Sequence, residues 1–153
     1  MKFIKVLVCF LLIFLVGCQP ANSEMIKVDK VDYVFTDLGI VSKISYLKRG
    51  DTLIRQETEN RVNYYDAAID RKKHEQEHKA MVEQYKNTPG VEYEINYGEK
   101  EVVEKFTVDY RLAKIEDLKK LPAFIMPLTS SEQVRYSDVA VLIVDYGYKR
   151  VES

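Results

Sequence analysis

Val91-Glu92-Tyr93-Glu94-Ile95-Asn96-Tyr97 and, past the turn Gly98-Glu99-Lys100, the run Val102-Val103-Glu104-Lys105-Phe106-Thr107-Val108-Asp109-Tyr110 decide the fold class. In the first run Val91, Tyr93, Ile95 and Tyr97 alternate with Glu92, Glu94 and Asn96. In the second, Val102, Glu104, Phe106, Val108 and Tyr110 alternate with Val103, Lys105, Thr107 and Asp109. A period of two sends neighbouring side chains to opposite faces of a strand. The two runs therefore read as a hairpin with one apolar and one charged face. That is the pattern of an antiparallel sheet covered on one side.

Upstream the same period recurs. Val31, Tyr33 and Phe35 alternate with Asp32, Val34 and Thr36, and Asp37-Leu38-Gly39 turns the chain. Ile40, Ser42, Ile44 and Tyr46 alternate with Val41, Lys43, Ser45 and Leu47 in a second strand. Arg49-Gly50-Asp51 is a tight-turn signal, because glycine takes positive φ at no steric cost. As an adhesion tripeptide it is too short to distinguish from chance. Residues 52–58 form a third strand, which residues 61–65 extend or cross, completing an antiparallel meander.

Residues 66–88 change character: charge is dense, glycine is absent and helix formers dominate. Asp70 is placed to cap a helix. His74, His78, Met81, Val82 and Tyr85 then fall at spacings of three and four on one face. Arg71, Lys72, Glu75, Lys79 and Glu83 fill the outer side, and Asn87-Thr88-Pro89-Gly90 ends it. Residues 114–121 read as a short helix stopped by Pro122, and 124–131 as a loop with an apolar patch around Pro127. The run Val139-Ala140-Val141-Leu142-Ile143-Val144 has the propensity of a buried strand. Gly147 after Tyr146 fits a helix C-terminus equally well.

The N-terminal stretch carries Lys2 and Lys5 and then eleven consecutive apolar residues, 6–16. A helix needs about 20 apolar residues to cross a bilayer, so this run matches the apolar region of a secretory signal. Leu15-Val16-Gly17-Cys18 resembles the bacterial lipobox. The resemblance implies transfer of a diacylglyceryl group to the Cys18 thiol and cleavage between Gly17 and Cys18. Two palmitate-class acyl chains hold a domain firmly where one is marginal. Cys9 leaves with the signal, so the mature chain has no thiol except the lipidated one, and neither a disulfide nor a thiolate metal site is available. Gln19-Pro20-Ala21-Asn22 is a short polar tether. With Gln19 rather than Asp after the cysteine, the usual inner-membrane retention signal of two-membrane cells is missing.

Hydrophobic content of 46% and charged content of 31% describe a folded globular chain. About 125 residues past the tether make one domain. With Lys2 and Lys5 removed, the 23 basic residues fall to 21 against 24 acidic, a formal charge of −3. Nucleic acid, which needs a basic face, is not an expected partner.

His74-Glu75-Gln76-Glu77-His78 matches H-E-x-x-H, in which two histidines on one helical face hold zinc and the glutamate activates water. A catalytic zinc needs a third protein ligand. The chain has no third histidine, and Glu99, Glu101 and Glu104 lie at or beyond the turn of a hairpin instead of on a following helix. The pair is therefore read as the boundary of an amphipathic helix. His74 and His78 remain weak metal candidates, with a zinc-dependent hydrolase as the alternative function. No G-x-S-x-G or phosphate-cradling glycine loop occurs, so no catalytic residue and no cofactor is assigned. Of the eleven tyrosines, Tyr33, Tyr46, Tyr93, Tyr97 and Tyr110 occupy core positions. Tyr64, Tyr65, Tyr146 and Tyr148 are candidates for an exposed surface.

In order, these pieces resemble the YehR-like lipoproteins, a bacterial family of small tethered domains without an established activity. The Arg49-Gly50-Asp51 turn, Asn63-Tyr64, Val82-Glu83-Gln84-Tyr85 and Gly90-Val91-Glu92-Tyr93-Glu94 carry the likeness. So do Glu104-Lys105, Val108-Asp109-Tyr110, Leu121-Pro122 and the closing Tyr146-Gly147-Tyr148-Lys149-Arg150-Val151. The resemblance implies a helix over 138–146 and does not call for a histidine pair in the long helix. The expected organisation is a lipoprotein-type signal peptide over 1–17, lipidated Cys18 and tether over 18–29, and one α+β domain over 30–153. Its antiparallel sheet has about five strands, with one long helix and one or two short ones on one face. The expected function is a non-enzymatic envelope lipoprotein, extracytoplasmic and membrane-held through Cys18, with an unidentified protein or small-molecule partner. A small solute-binding lipoprotein is the binding-class alternative, although two-lobed receptors are usually longer.

Overall fold

Strict alternation becomes strand at every place where it occurs. A computed structural model of the chain describes residues 27–127 and 133–152; the predicted signal, Gly17, Cys18 and residues 128–131 of the predicted loop lie outside them. The strands are β1 (Val28–Asp37), β2 (Ile40–Arg49), β3 (Thr52–Asn63), β4 (Val91–Tyr97), β5 (Glu101–Asp109) and β6 (Lys149–Arg150). The helices are α1 (Arg71–Lys86), α2 (Ile115–Leu118) and α3 (Tyr136–Asp145). The sheet order is β4-β5-β3-β2-β1-β6, antiparallel at every pairing.

The sheet thus has six strands, not five. The sixth is two residues long and pairs with β1 at Tyr33 and Val34, too short to show any alternation. β1 begins at Val28, inside the stretch expected to be tether. β3 continues through Asn63, and β5 ends at Asp109, one residue before Tyr110.

The three helices among the described residues contribute side chains to the same face of the sheet. Val82 and Tyr85 of α1 and Leu118 of α2 pack with Val91, Tyr93 and Val108. Val139 and Ile143 of α3 pack with Val31, Tyr33, Ile44, Tyr46 and Leu53. Tyr110 and Met126 touch both clusters. Burial of a large apolar side chain stabilises by roughly 1.5–3 kcal/mol, so these two clusters carry the fold without crosslinks. The opposite face bears Arg55–Glu57, Arg61–Glu59 and Lys105–Glu59 ion pairs in partly exposed positions. Exposed pairs of this kind are worth little individually.

Helix ends follow local chemistry. Asp70 caps α1, its carboxylate accepting from the Lys73 amide at 2.8 Å. α3 has the β-branched run that favours strand, yet Val139 and Ile143, four apart, are fully buried while Val141 and Val144 stay exposed. Packing of one helical face outweighs propensity here. No side chain of its own N-cap residue, Arg135, closes the first turn of α3. Asp51 of the β2–β3 turn does so instead, accepting from the Ser137 amide and hydroxyl, both at 2.8 Å, and through its backbone carbonyl from the Tyr136 amide. Those Ser137 hydrogen bonds hold the Asp51 carboxyl below the usual carboxylate range.

Candidate functional site

The cross-strand register lays side chains in rows across the covered face. One row runs Tyr33, Ile44, Thr58, Phe106 and Tyr93, and is largely apolar. The next runs Phe35, Ser42, Asn60, Glu104 and Ile95, and is polar at its three central strands. These groups join in one hydrogen-bonded line: Tyr148 Oη donates to Ser42 Oγ (2.8 Å), Ser42 Oγ to Asn60 Oδ1 (2.6 Å), and Asn60 Nδ2 to Glu104 Oε2 (3.3 Å). The line crosses three central strands and delivers an oriented carboxylate at the β5 end.

α1 places His74 and His78 at that end. One donor atom from each histidine and a Glu104 carboxylate oxygen lie within 4.8 Å of one another, and all three residues are half-buried. The imidazole rings stack, with centroids 3.8 Å apart and planes 13° from parallel. Tyr97 meets His74 edge-on at 5.9 Å. His78 Nδ1 donates to the His74 carbonyl at 2.8 Å, which leaves Nε2 as the ring's lone-pair atom. His74 Nδ1 is buried without a hydrogen-bond partner among the described residues. Burial, and then the neighbouring His78, push the His74 pKa down. Burial followed by the Glu104 charge pushes up the pKa of the Tyr93 and Tyr97 hydroxyls.

The histidine face read from the sequence is therefore real: it continues into Met81, Val82 and Tyr85, and the last two are buried. What sequence reasoning missed is the third group. The hairpin pattern puts Glu104 beyond the turn, away from the pair. Instead its strand parity, already visible in the alternation with Val102, Phe106 and Val108, turns it under α1. Glu99, by contrast, is exposed at the turn, and Glu101 pairs with Arg61 on the strand flank. Glu75, the base in the H-E-x-x-H reading, is exposed.

The tyrosine candidates divide. Tyr65 is 92% exposed and Tyr146 58%, but Tyr64 and Tyr148 are half-buried. Asn63 shapes this corner by accepting from the Tyr65 and Asp66 amides. Elsewhere, a hollow of about 770 Å³ lies between the 123–127 segment and α3, lined by Phe124, Ile125, Met126, Val141, Leu142 and Tyr146 among others. Among the described residues no helix is long and apolar enough to cross a membrane.

Comparison with known proteins places this architecture. The family described as protein of unknown function (DUF1307) matches residues 29–149. The chain is 27% identical over 146 residues to the uncharacterized lipoprotein Lin0239 of Listeria innocua, covering 95% of this chain and 92% of that one. It is 26% identical over 145 residues to the uncharacterized lipoprotein Lmo0207 of Listeria monocytogenes, covering 94% and 91%. Among solved structures, the fold is similar to that of the Escherichia coli YehR protein, with a TM-score of 0.65 at 18% identity over 82% of this chain and 91% of that one. It is also similar to a Streptococcus pneumoniae protein, with a TM-score of 0.56 at 11% identity over 85% and 88%. The chain belongs to the DUF1307 family, the YehR-like lipoproteins of unknown function.

Proposed function

We propose that the protein is a non-enzymatic lipoprotein of the cell envelope, extracytoplasmic and held at the membrane by lipid on Cys18, with a binding or structural role. The observation that carries this reading is Leu15-Val16-Gly17-Cys18 at the end of an eleven-residue apolar run behind Lys2 and Lys5. The lipoprotein names of relatives aligned over nearly the whole chain support it. Cleavage before Cys18 leaves the thiol as the N-terminal residue of a folded domain that needs no crosslink. Two acyl chains at about 0.8 kcal/mol per buried methylene then hold it at the bilayer.

A binding role draws support from apolar surface left in the open. Val141 and Tyr146 are exposed beside the hollow under α3, and contiguous exposed apolar surface marks contact sites more often than solvated ones. Hydrolysis draws none from the shape of the domain, since one sheet with helices on a single face offers no second lobe to wall a substrate cleft. Fractionation tests the anchor. Cys18→Ser is expected to leave the membrane pellet or to remain as the uncleaved precursor, while the parent stays in the pellet through a high-salt wash. A Cys18→Ser protein that is processed and still pellets like the parent would rule out the lipid as the tether.

A further inference from the structure

We propose that His74, His78 and Glu104 form a binding site for a late first-row divalent cation of the Zn²⁺ type, with Asn60 as the residue that positions the carboxylate. The inference concerns the folded domain alone and goes beyond the anchoring reading, on which it does not depend.

The donor set selects the class of ion. Two imidazole nitrogens and one carboxylate suit Zn²⁺ and its neighbours, whereas Mg²⁺ and Ca²⁺ take oxygen donors. His74 and His78 are four apart on α1, so both reach the same side of the helix. Glu104 approaches from β5, which makes the site a clasp between helix and sheet. Three protein donors leave a fourth position for water or another ligand, as in open zinc sites.

Each donor is also prepared. The His78 Nδ1–H is committed to the His74 carbonyl at 2.8 Å, the outer contact that fixes the tautomer of a metal-binding histidine and frees Nε2. Glu104 Oε2 accepts from Asn60 Nδ2 at 3.3 Å, and Asn60 is itself held by Ser42, which is held by Tyr148. A line of hydrogen bonds across three strands is more than a solvated glutamate requires. His74 supplies the unexplained atom: a buried ring nitrogen with no hydrogen-bond partner among the described residues. A buried polar atom is costly to leave unbonded, and a bound ion would satisfy it.

The geometry is that of an open clasp. Ligand atoms about 2.0–2.2 Å from a tetrahedral zinc are roughly 3.3–3.6 Å apart, and here they lie within 4.8 Å. Closure requires the two rings to tilt out of their parallel stack and the Glu104 side chain to rotate.

The test uses the full lipoprotein, purified in mild detergent, stripped of metal and titrated with Zn²⁺ against a chromophoric chelator. One Zn²⁺ per chain is expected, with a Kd of about 1 µM or tighter, unaffected by excess Mg²⁺ or Ca²⁺. Bound Co²⁺ is expected to show the intense visible bands of a four-coordinate site. Glu104→Gln and His74→Gln each weaken Zn²⁺ by about 100-fold, and Asn60→Ala, which leaves every donor in place, weakens it about 10-fold. Circular dichroism monitors folding; if Glu104→Gln does not fold, Asn60→Ala and Glu104→Asp carry the comparison. Wild-type binding weaker than about 1 mM overturns the site. So does a folded Glu104→Gln protein, or in its absence the Asn60→Ala and Glu104→Asp pair, that binds Zn²⁺ like the wild type, since the histidines then act alone. Membrane attachment is read separately, so neither result bears on the anchor.

Discussion

Replacing Asp51 by alanine isolates the way a hairpin turn caps a distant helix. α3 starts without a capping side chain of its own, and Asp51 supplies bonds to the Ser137 amide and hydroxyl at 2.8 Å each. Loss of an N-cap side chain typically costs about 1 kcal/mol, within a range of roughly 0.5–2. Because Asp51 is at the surface, its charge is screened and the middle of that range applies. For a domain of this size about 1 kcal/mol lowers Tm by roughly 3–6 °C. Urea titration at pH 7 is the primary assay, with Ser137→Ala and the double variant completing a cycle. The two single effects are expected to be non-additive, because both variants lose the Ser137 hydroxyl bond to Asp51, while Asp51→Ala also loses the bond from the Ser137 amide. The pH dependence has a defined sign. The folded carboxyl is held below its unfolded value, near 3.9, so its contribution is fully present above pH 4 and is lost as pH falls through the folded value. The gap between wild type and Asp51→Ala therefore persists from pH 7 to 5 and closes in stronger acid. A gap below about 0.3 kcal/mol at pH 7, under the usual range for a lost cap, would refute the capping argument, as would one that stays constant down to pH 2.

Three further substitutions test the core and the backbone. Tyr46 is fully buried and its hydroxyl has no partner among the described residues; Tyr46→Phe is expected to leave stability unchanged or raise it by up to about 1–2 kcal/mol, and a loss above about 1 kcal/mol in urea would mean the hydroxyl is satisfied. Gly90 has φ +77° and a Cβ there would stand 2.5 Å from the Ala113 amide nitrogen, whereas Gly50, at φ +60°, faces open space. Gly90→Ala is expected to cost about 3 kcal/mol or more and Gly50→Ala about 1–2; equal midpoints for the two variants would contradict the close approach of the β4 start to the 113 region.

Legibility in the sequence followed the range of the interaction. The β4–β5 hairpin could be read because each residue's face is set by its immediate neighbours. Asp70 and the His74 to Tyr85 face could be read because helical spacing is equally local. β6 could not, since Lys149 and Arg150 become a strand only by meeting Tyr33 and Val34. α3 reads as strand by propensity, and its helical form rests on Val139 and Ile143 reaching the sheet together. The site illustrates the same limit. The parity of Glu104 was visible as a lone carboxylate in an apolar register. That it lies beneath His74 and His78, and is held by Asn60, depends on how β3 pairs with β5 and how α1 crosses β4, which no local pattern records. The signal for Glu104 that the sequence carries is an acid among core-facing residues.

Intact mass of the protein extracted from membranes reads the lipid anchor itself. The expected result is a chain that begins at Cys18 and carries additional mass equal to a diacylglyceryl group, from which alkaline hydrolysis removes the two ester-linked acyl chains and leaves the thioether-linked glyceryl. A membrane-extracted protein that retains Met1, or that begins after Cys18 with no acyl mass, would contradict it.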